Sequence, residues 1–400
     1  MTKVFTNFQY SLIYRSQLYI ELKSMGSGPS INQSPMNLQY DQYQPFFADD
    51  IPECYDIQKK TESDFGFNAI WSVRPLDSVS PINRTGYISA YDPENDCAYI
   101  GYGCTESKQH IVDLWRLDMK TRRWKEIQIE NNKVTPRAGA RAVLVGNFLW
   151  VFGGFYNKQY LGDLHCINLL TGAIVHPQTT GQGPKNCSGH SMNYVNGKIV
   201  IFGGYNNGSI EQCCILDLRT MAWTSIETKL TKFSHASTVY NNEVYLYGGS
   251  KTNAMIKINP QTKEIFSLAS FGHFPSYTMT KSSMVTVGKY IVQIGGVAKA
   301  GQQFSAIRVY DIERGLWSKL PISPDNTSTL LCDGEIDQDG YFNLPSCYDV
   351  TLVYREQERE IVALEGKPFN NPPYLAVLSL GEATPELNLH SDLLSMLNSF

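Results

Sequence analysis

Charge is scarce in this sequence. Asp, Glu, Lys and Arg together make up 18% of 400 residues, below the usual quarter, which disfavours long solvent-facing helices and coiled coils. The net charge is only −4, so the chain lacks the general basic excess of a nucleic-acid binder. No run of 18 apolar residues occurs, and the N-terminal MTKVFTNFQYSLIY has no uninterrupted apolar segment. Neither a membrane span nor a secretory leader is therefore expected. The nine cysteines are odd in number and contain no C-x-x-C, which argues against a disulfide framework and a zinc ribbon. These absences together point to a reduced, cytoplasmic protein that binds neither nucleic acid nor membrane.

Chemistry-bearing motifs are missing too. The chain has no G-x-S-x-G, no phosphate loop and no H-E-x-x-H, the patterns that would present a nucleophile, cradle a triphosphate or hold zinc. Its seven His residues form no close metal pairing, and His190 and His235 are read as structural. No cofactor, metal or catalytic residue is expected. The alternating acids Asp333, Glu335, Asp337 and Asp339 resemble the ligand spacing of a calcium loop, but the twelfth position from Glu335 is Ser346, where a bidentate Glu is needed. A solvated acidic loop is preferred.

What the sequence has is glycine, tyrosine and a repeat. FLWVFGG, KIVIFGG, EVYLYGG and YIVQIGG end at Gly154, Gly204, Gly249 and Gly296, and a degenerate copy, CAYIGYG, ends at Gly103. The apolar runs have the length and β-former content of buried strands. Two glycines at a strand end allow dihedrals or close approaches that a Cβ would block. Each run is preceded by a second short strand, as in HSMNYVNG, where Asn196-Gly197 signals a tight hairpin. Downstream, an Asp or Asn is followed six residues later by a large apolar residue: Asp118 and Trp124, Asn168 and Ile174, Asp217 and Trp223, Asn259 and Ile265, Asp311 and Trp317. Short acid and amide side chains bond backbone amides two residues on and fix such turns. One repeat thus reads as four strands, a to d, with b ending in the glycine pair and c in Asp or Asn.

Four-stranded units at this spacing describe propeller blades, and these residues resemble kelch repeats. The resemblance implies an all-β, kelch-type β-propeller of six or seven four-stranded blades. For six, NAIWSVRPL with Trp71 supplies the missing outer strand of the last blade. For seven, which is preferred, CYDIQKKT with Asp56 ends a strand c in a divergent blade. The division expected is 1–84 as divergent blade or closing strand with a polar loop at 27–50, 85–380 as propeller core, and 381–400 as a tail with a short amphipathic helix.

Some kelch propellers are enzymes, and a propeller enzyme acting on a small molecule in the central channel is the alternative reading. The preferred one is a non-catalytic interaction scaffold or adaptor, or a subunit of a larger assembly. The resemblance leaves too few residues before the repeats for a second folded module. In kelch adaptors the b–c and d–a loops receive peptide ligands. Here those loops carry Arg137, Lys158, Lys185, Lys232, Lys251 and Lys299, interleaved with aromatics including Tyr156 and Tyr205. That pattern suits a protein partner with an acidic segment. The acidic insertion 321–346 is a d–a loop and is expected to cover the same face as an internal pseudo-ligand.

Overall fold

The computed structural model describes residues 69–76, 78–250, 252–272, 278–298, 307–324, 335–336, 342–344, 347–364 and 374–381. Among them are six antiparallel sheets of four principal strands. Blade 1 runs from Ile88–Asp92 through Cys97–Gly101 and Leu114–Asp118 to Arg123–Glu126. Blades 2 to 5 repeat this meander, their strands a beginning at Arg141, Ser191, Ala236 and Ser283. Blade 6 takes strands a to c from Thr351–Arg355, Glu360–Leu364 and Tyr374–Leu380. Its strand d is Ala69–Pro75, paired antiparallel with Tyr374–Leu380. The two ends of the described chain therefore meet in one sheet, which removes an open edge.

The count is six, the lower of the two weighed. Trp71 lies opposite Leu378 as Trp124 lies opposite Leu117, Trp223 opposite Leu216 and Trp317 opposite Tyr310. Blade 6 then abuts blade 1 directly: Tyr87 donates its hydroxyl to the Asp349 carbonyl at 2.8 Å, and Thr351 to Ser89 Oγ at 2.9 Å. The ring has no seat for a seventh sheet there. Asp56, the polar loop 27–50 and the C-terminal stretch 382–400 lie outside the described residues.

The turn motif acts as its side chains dictate. Asp118 accepts from the Thr121 amide. Asn168, Asp217, Asn259 and Asp311 each accept from the amides two and three residues on. Five such turns join strands c and d in blades 1 to 5, and the sixth junction is made by the two distant segments. The Asn196-Gly197 hairpin has φ of 44° and 75°, the positive pair a type I′ turn requires.

The glycine that ends strand b stitches each of blades 1 to 5 to the blade that follows. The amides of Gly103, Gly154, Gly204, Gly249 and Gly296 donate to the carbonyls of Arg137, Cys187, Lys232, Met279 and Cys347, each on the following blade. Apolar wedges fill the six joints between blades, for example Ile199, Ile201 and Trp223 with Phe152 and Val143 between blades 2 and 3.

A second set of bonds encircles the axis. Gly86, Gly139, Gly189, Ser234, Lys281 and Asp349 occupy equivalent positions just before strand a, all with φ between 52° and 71°. The amides of Gly139, Gly189, Ser234, Lys281 and Asp349 donate to the carbonyl of the corresponding residue one blade back. The sixth link is different: Gly86 donates to the Asp349 carboxylate at 2.9 Å.

Candidate functional site

The b–c and d–a loops meet on one face. Ala138 and Phe155 exchange backbone bonds, as do Ser188 and Tyr205. This pairing brings successive aromatic rings together across blades. His110 of blade 1 stands edge-on to Tyr156 of blade 2 at 5.4 Å between centroids. Phe155 contacts Tyr160 at 5.0 Å, Tyr160 reaches Tyr205 of blade 3 at 6.0 Å, and Tyr205 reaches Phe233 at 5.1 Å. The result is an aromatic arc over four blades. Tyr156 and Tyr205 are its most open members, each 36% exposed. Lys158 and Lys185 are exposed in the same loops. Phe271, another aromatic residue of the d–a loops, lies on the outer edge of blade 5, paired parallel with Leu316.

Two residues assigned to this face by the sequence are not on it. Arg137 is 1% exposed. Its guanidinium donates to the carbonyls of Thr135 and Gly153 and to Asp163. Lys232 is fully buried, its ammonium donating to the carbonyls of Gly248 at 2.8 Å and Thr252 at 2.9 Å. Burial pulls the Lys232 pKa down to about 7, because the charged form loses its hydration. Both cations brace the loops from beneath. Lys133, another cation of these loops, pairs with Glu130 at 2.8 Å. Lys251 and Lys299 lie outside the described residues, as do Asp333, Asp337 and Asp339. The described start of the insertion, Ile322–Pro324, adds a parallel strand to the rim of blade 6 beside Ala69–Trp71.

Beneath the arc sits a network that the sequence concealed. Tyr102 replaces the first glycine of the pair in blade 1, at φ 59°. Its hydroxyl donates to His165 Nε2 at 2.9 Å, and His165 Nδ1 faces Asp163 at 3.2 Å. Burial, first of all, holds the His165 pKa below its usual value, so the ring is neutral and Nδ1–H is the donor. Burial pushes the Asp163 carboxyl up, but hydrogen bonds from His165 and Arg137 outweigh it and hold the group well below the carboxylate range. Arg84 repeats the pattern one blade earlier, donating to the Tyr102 carbonyl and to Asp113. The legible signal was Asp-Leu at 113–114 and 163–164, each about half a repeat after an Arg.

Arg137→Ala is therefore expected to cost stability, about 3 kcal/mol as for removing one partner of a buried pair, while Lys185→Ala leaves stability within ~0.5 kcal/mol. Urea denaturation of both variants checks this. Equal midpoints would show that Arg137 is not a brace.

Meandering four-stranded sheets, stitching by strand-end glycines and a ring closed by Ala69–Pro75 against Tyr374–Leu380 define a six-bladed β-propeller whose repeats are of the kelch type. The family model "KLHDC2/KLHL20/DRC7 Kelch-repeats domain" matches residues 64–249. Among relatives, Kelch domain-containing protein 1 of Mus musculus is 29% identical over 189 residues, 44% of this chain and 45% of that protein. Tip elongation aberrant protein 3 of Schizosaccharomyces pombe is 26% identical over 168 residues, 33% of this chain and 15% of the relative. Host cell factor 1 of Homo sapiens is 27% identical over 189 residues, 40% of this chain and 9% of the relative. The matched segments span less than half the length of these relatives.

Proposed function

We propose that the protein is a non-catalytic interaction scaffold or adaptor, acting alone or as a subunit of a larger assembly. The aromatic arc through Tyr156 and Tyr205 carries this reading. Aromatic side chains supply large contact area at low entropic cost and dominate binding hot spots. The exposed Lys158 and Lys185 beside it favour a partner with an acidic segment. The seven described cysteines are free thiols, which supports a reducing, cytoplasmic site of action. Among the described residues no helix is long and apolar enough to cross a membrane.

Affinity capture with quantitative mass spectrometry tests the face. Tyr156→Ala with Tyr205→Ala is expected to lower retention of the main partner at least ~10-fold, the scale of losing one hot spot. Lys158→Glu with Lys185→Glu should steepen the loss at low salt. Unchanged capture by both pairs places the partner on the opposite loops or the rim and ends the proposal.

A further inference from the structure

Five of the six linkers between strand d of one blade and strand a of the next run along the outer edge of that next blade. Ser78 Oγ accepts the Trp124 amide of blade 1 at 2.7 Å. The Glu130 carboxylate accepts the Ile174 amide of blade 2 at 2.9 Å, and the Thr180 carbonyl accepts the Trp223 amide of blade 3 at 2.9 Å. In blades 5 and 6 the linker forms a parallel fifth strand, Phe271–Gly272 beside Leu316–Trp317 and Ile322–Pro324 beside Ala69–Trp71. Blade 4 is the exception. Its linker, 228–235, has eight residues where every other has twelve or more. Leu230 packs into the joint between blades 3 and 4, and two residues later Lys232 is already the buried brace. No length remains for a run along the rim.

Strand d of blade 4, Glu264–Leu268, is therefore an open edge. It is last in its sheet, and among the described residues nothing bonds to the backbone of its outer side. Ile265 stands opposite Ile258 as Trp223 stands opposite Leu216 in blade 3, and Trp223 turns its amide outward to Thr180. Backbone groups alternate in direction along an antiparallel strand, so Ile265 and Ser267 both present N–H and C=O outward. Side-chain burial agrees. Trp71, Trp124, Ile174, Trp223 and Trp317, which hold the position of Ile265 in the other blades, are all buried. Ile265 is only half-buried, and its neighbour Phe266 is 44% exposed. An unpaired edge beside a half-covered apolar residue is a template for strand addition.

We propose that the outer edge of blade 4 takes up one extended segment of a partner protein, parallel to Glu264–Leu268, with an aliphatic side chain covering Ile265. The other blades define this occupant. Their rim pairings are parallel, and their rim segments bury aliphatic residues in the joints. Ile322 is 4% exposed between blades 5 and 6, and Ile127 and Ile129 pack between blades 1 and 2. A single chain enters such a notch, and the flat flank of a second propeller does not. The seat lies on the rim, apart from the aromatic arc, and rests on no part of the loop-face reading.

Amide hydrogen exchange followed by NMR on the full chain tests this, with a capped peptide of the chain's own rim sequence, Glu126–Asn132 (EIQIENN), as the probe. In the free protein the Ile265 and Ser267 amides are expected to exchange faster than that of Trp223. Peptide at about ten times its dissociation constant should slow both roughly tenfold. Ser267→Pro removes one outward amide and spares the ladder with strand c, so it should abolish the slowing at Ile265. Lys158→Glu with Lys185→Glu should leave the slowing intact. Replacing 228–231 by 127–136 gives this linker the length of its neighbour and should close the edge to the peptide. That variant decides the matter if Ser267→Pro fails to fold by circular dichroism. No slowing by peptide at its solubility limit overturns the proposal, as does slowing that survives the edge variants. Protection already present without peptide overturns it too. If that protection grows with protein concentration and sedimentation gives a dimer, a second copy holds the edge; if it is independent of concentration, the chain covers its own edge.

Discussion

Arg355→Ala is expected to lower the unfolding free energy by about 3–5 kcal/mol, the range for stripping one partner from a buried ion pair. Arg355 ends strand a of blade 6 and is 7% exposed. Its guanidinium donates to both oxygens of Asp96 at 3.0 and 2.7 Å and to Glu360 at 3.1 Å, and it contacts Glu358 at 3.0 Å. Asp96 lies in the a–b turn of blade 1, and Glu360 also holds Arg74 of the closing strand. One cation thus ties blade 6 to blade 1 while Glu360 ties the chain's distant segments together. Alanine leaves Asp96 and Glu360 facing one another's charge without it. Urea denaturation reads the loss, and a change below about 1 kcal/mol would mean that the seam is held by packing alone.

The same joint sets an acid limb. The hydrogen bond from Arg355, foremost, holds the Asp96 carboxyl below its ordinary value. The native state then binds this proton less readily than the unfolded chain. Its contribution is complete above roughly pH 4 and is lost as pH falls through the depressed native value. Wild type should therefore lose stability steeply below pH 4, and Arg355→Ala should show a shallower decline. Asp163, depressed in the same direction, supplies the slope that remains.

Gly203→Ala should cost about 2–4 kcal/mol. Gly203 has φ +66°, and a Cβ there would lie 2.2 Å from the Lys232 carbonyl of blade 4. Backbone strain of this kind costs ~1–3 kcal/mol, and the overlap must also pry two blades apart. Gly197 separates the two effects, since it has φ +75° and a Cβ there would meet nothing within 4 Å. Gly197→Ala should cost only ~1–2 kcal/mol. Thermal melts of both variants decide the matter: equal losses would show that the blade-to-blade contact adds nothing. Tyr102 shows what the first position of the pair demands, since its ring lies buried against His165.

The repeat was readable because its signals are local. An Asp or Asn caps its own turn and a glycine pair ends its own strand, so each blade announces itself within a few residues. The closing strand was readable in Trp71, because the partners of d-strand tryptophans recur. The preference for seven blades came from Asp56, which mimics a turn residue but has no large apolar residue six positions on. That failed spacing was the better guide.

The site was half legible for a similar reason. Tyr156, Lys158, Lys185 and Tyr205 are exposed as their loop positions suggest. Arg137 and Lys232 are not, because what buries them comes from elsewhere: Asp163 is 26 residues from Arg137, and the carbonyls holding Lys232 are 16 and 20 residues away. Charge counted along a loop treats every Lys and Arg as solvent-facing. Only the pairing of strands b and c shows which ones have been drawn inward.

The amides around the axis all donate in one rotational sense, from each blade to the one before. Peptide dipoles aligned along a helix add up and leave opposite partial charges at its two ends. Bent into a circle, the same dipoles have no ends, and their in-plane components cancel. The mouth of the propeller is thus close to electrically silent in its backbone, apart from the joint where the Asp349 carboxylate stands in for a carbonyl. Whatever approaches the axis meets a potential written by a few side chains, which a single substitution can rewrite without touching the hoop that holds the blades.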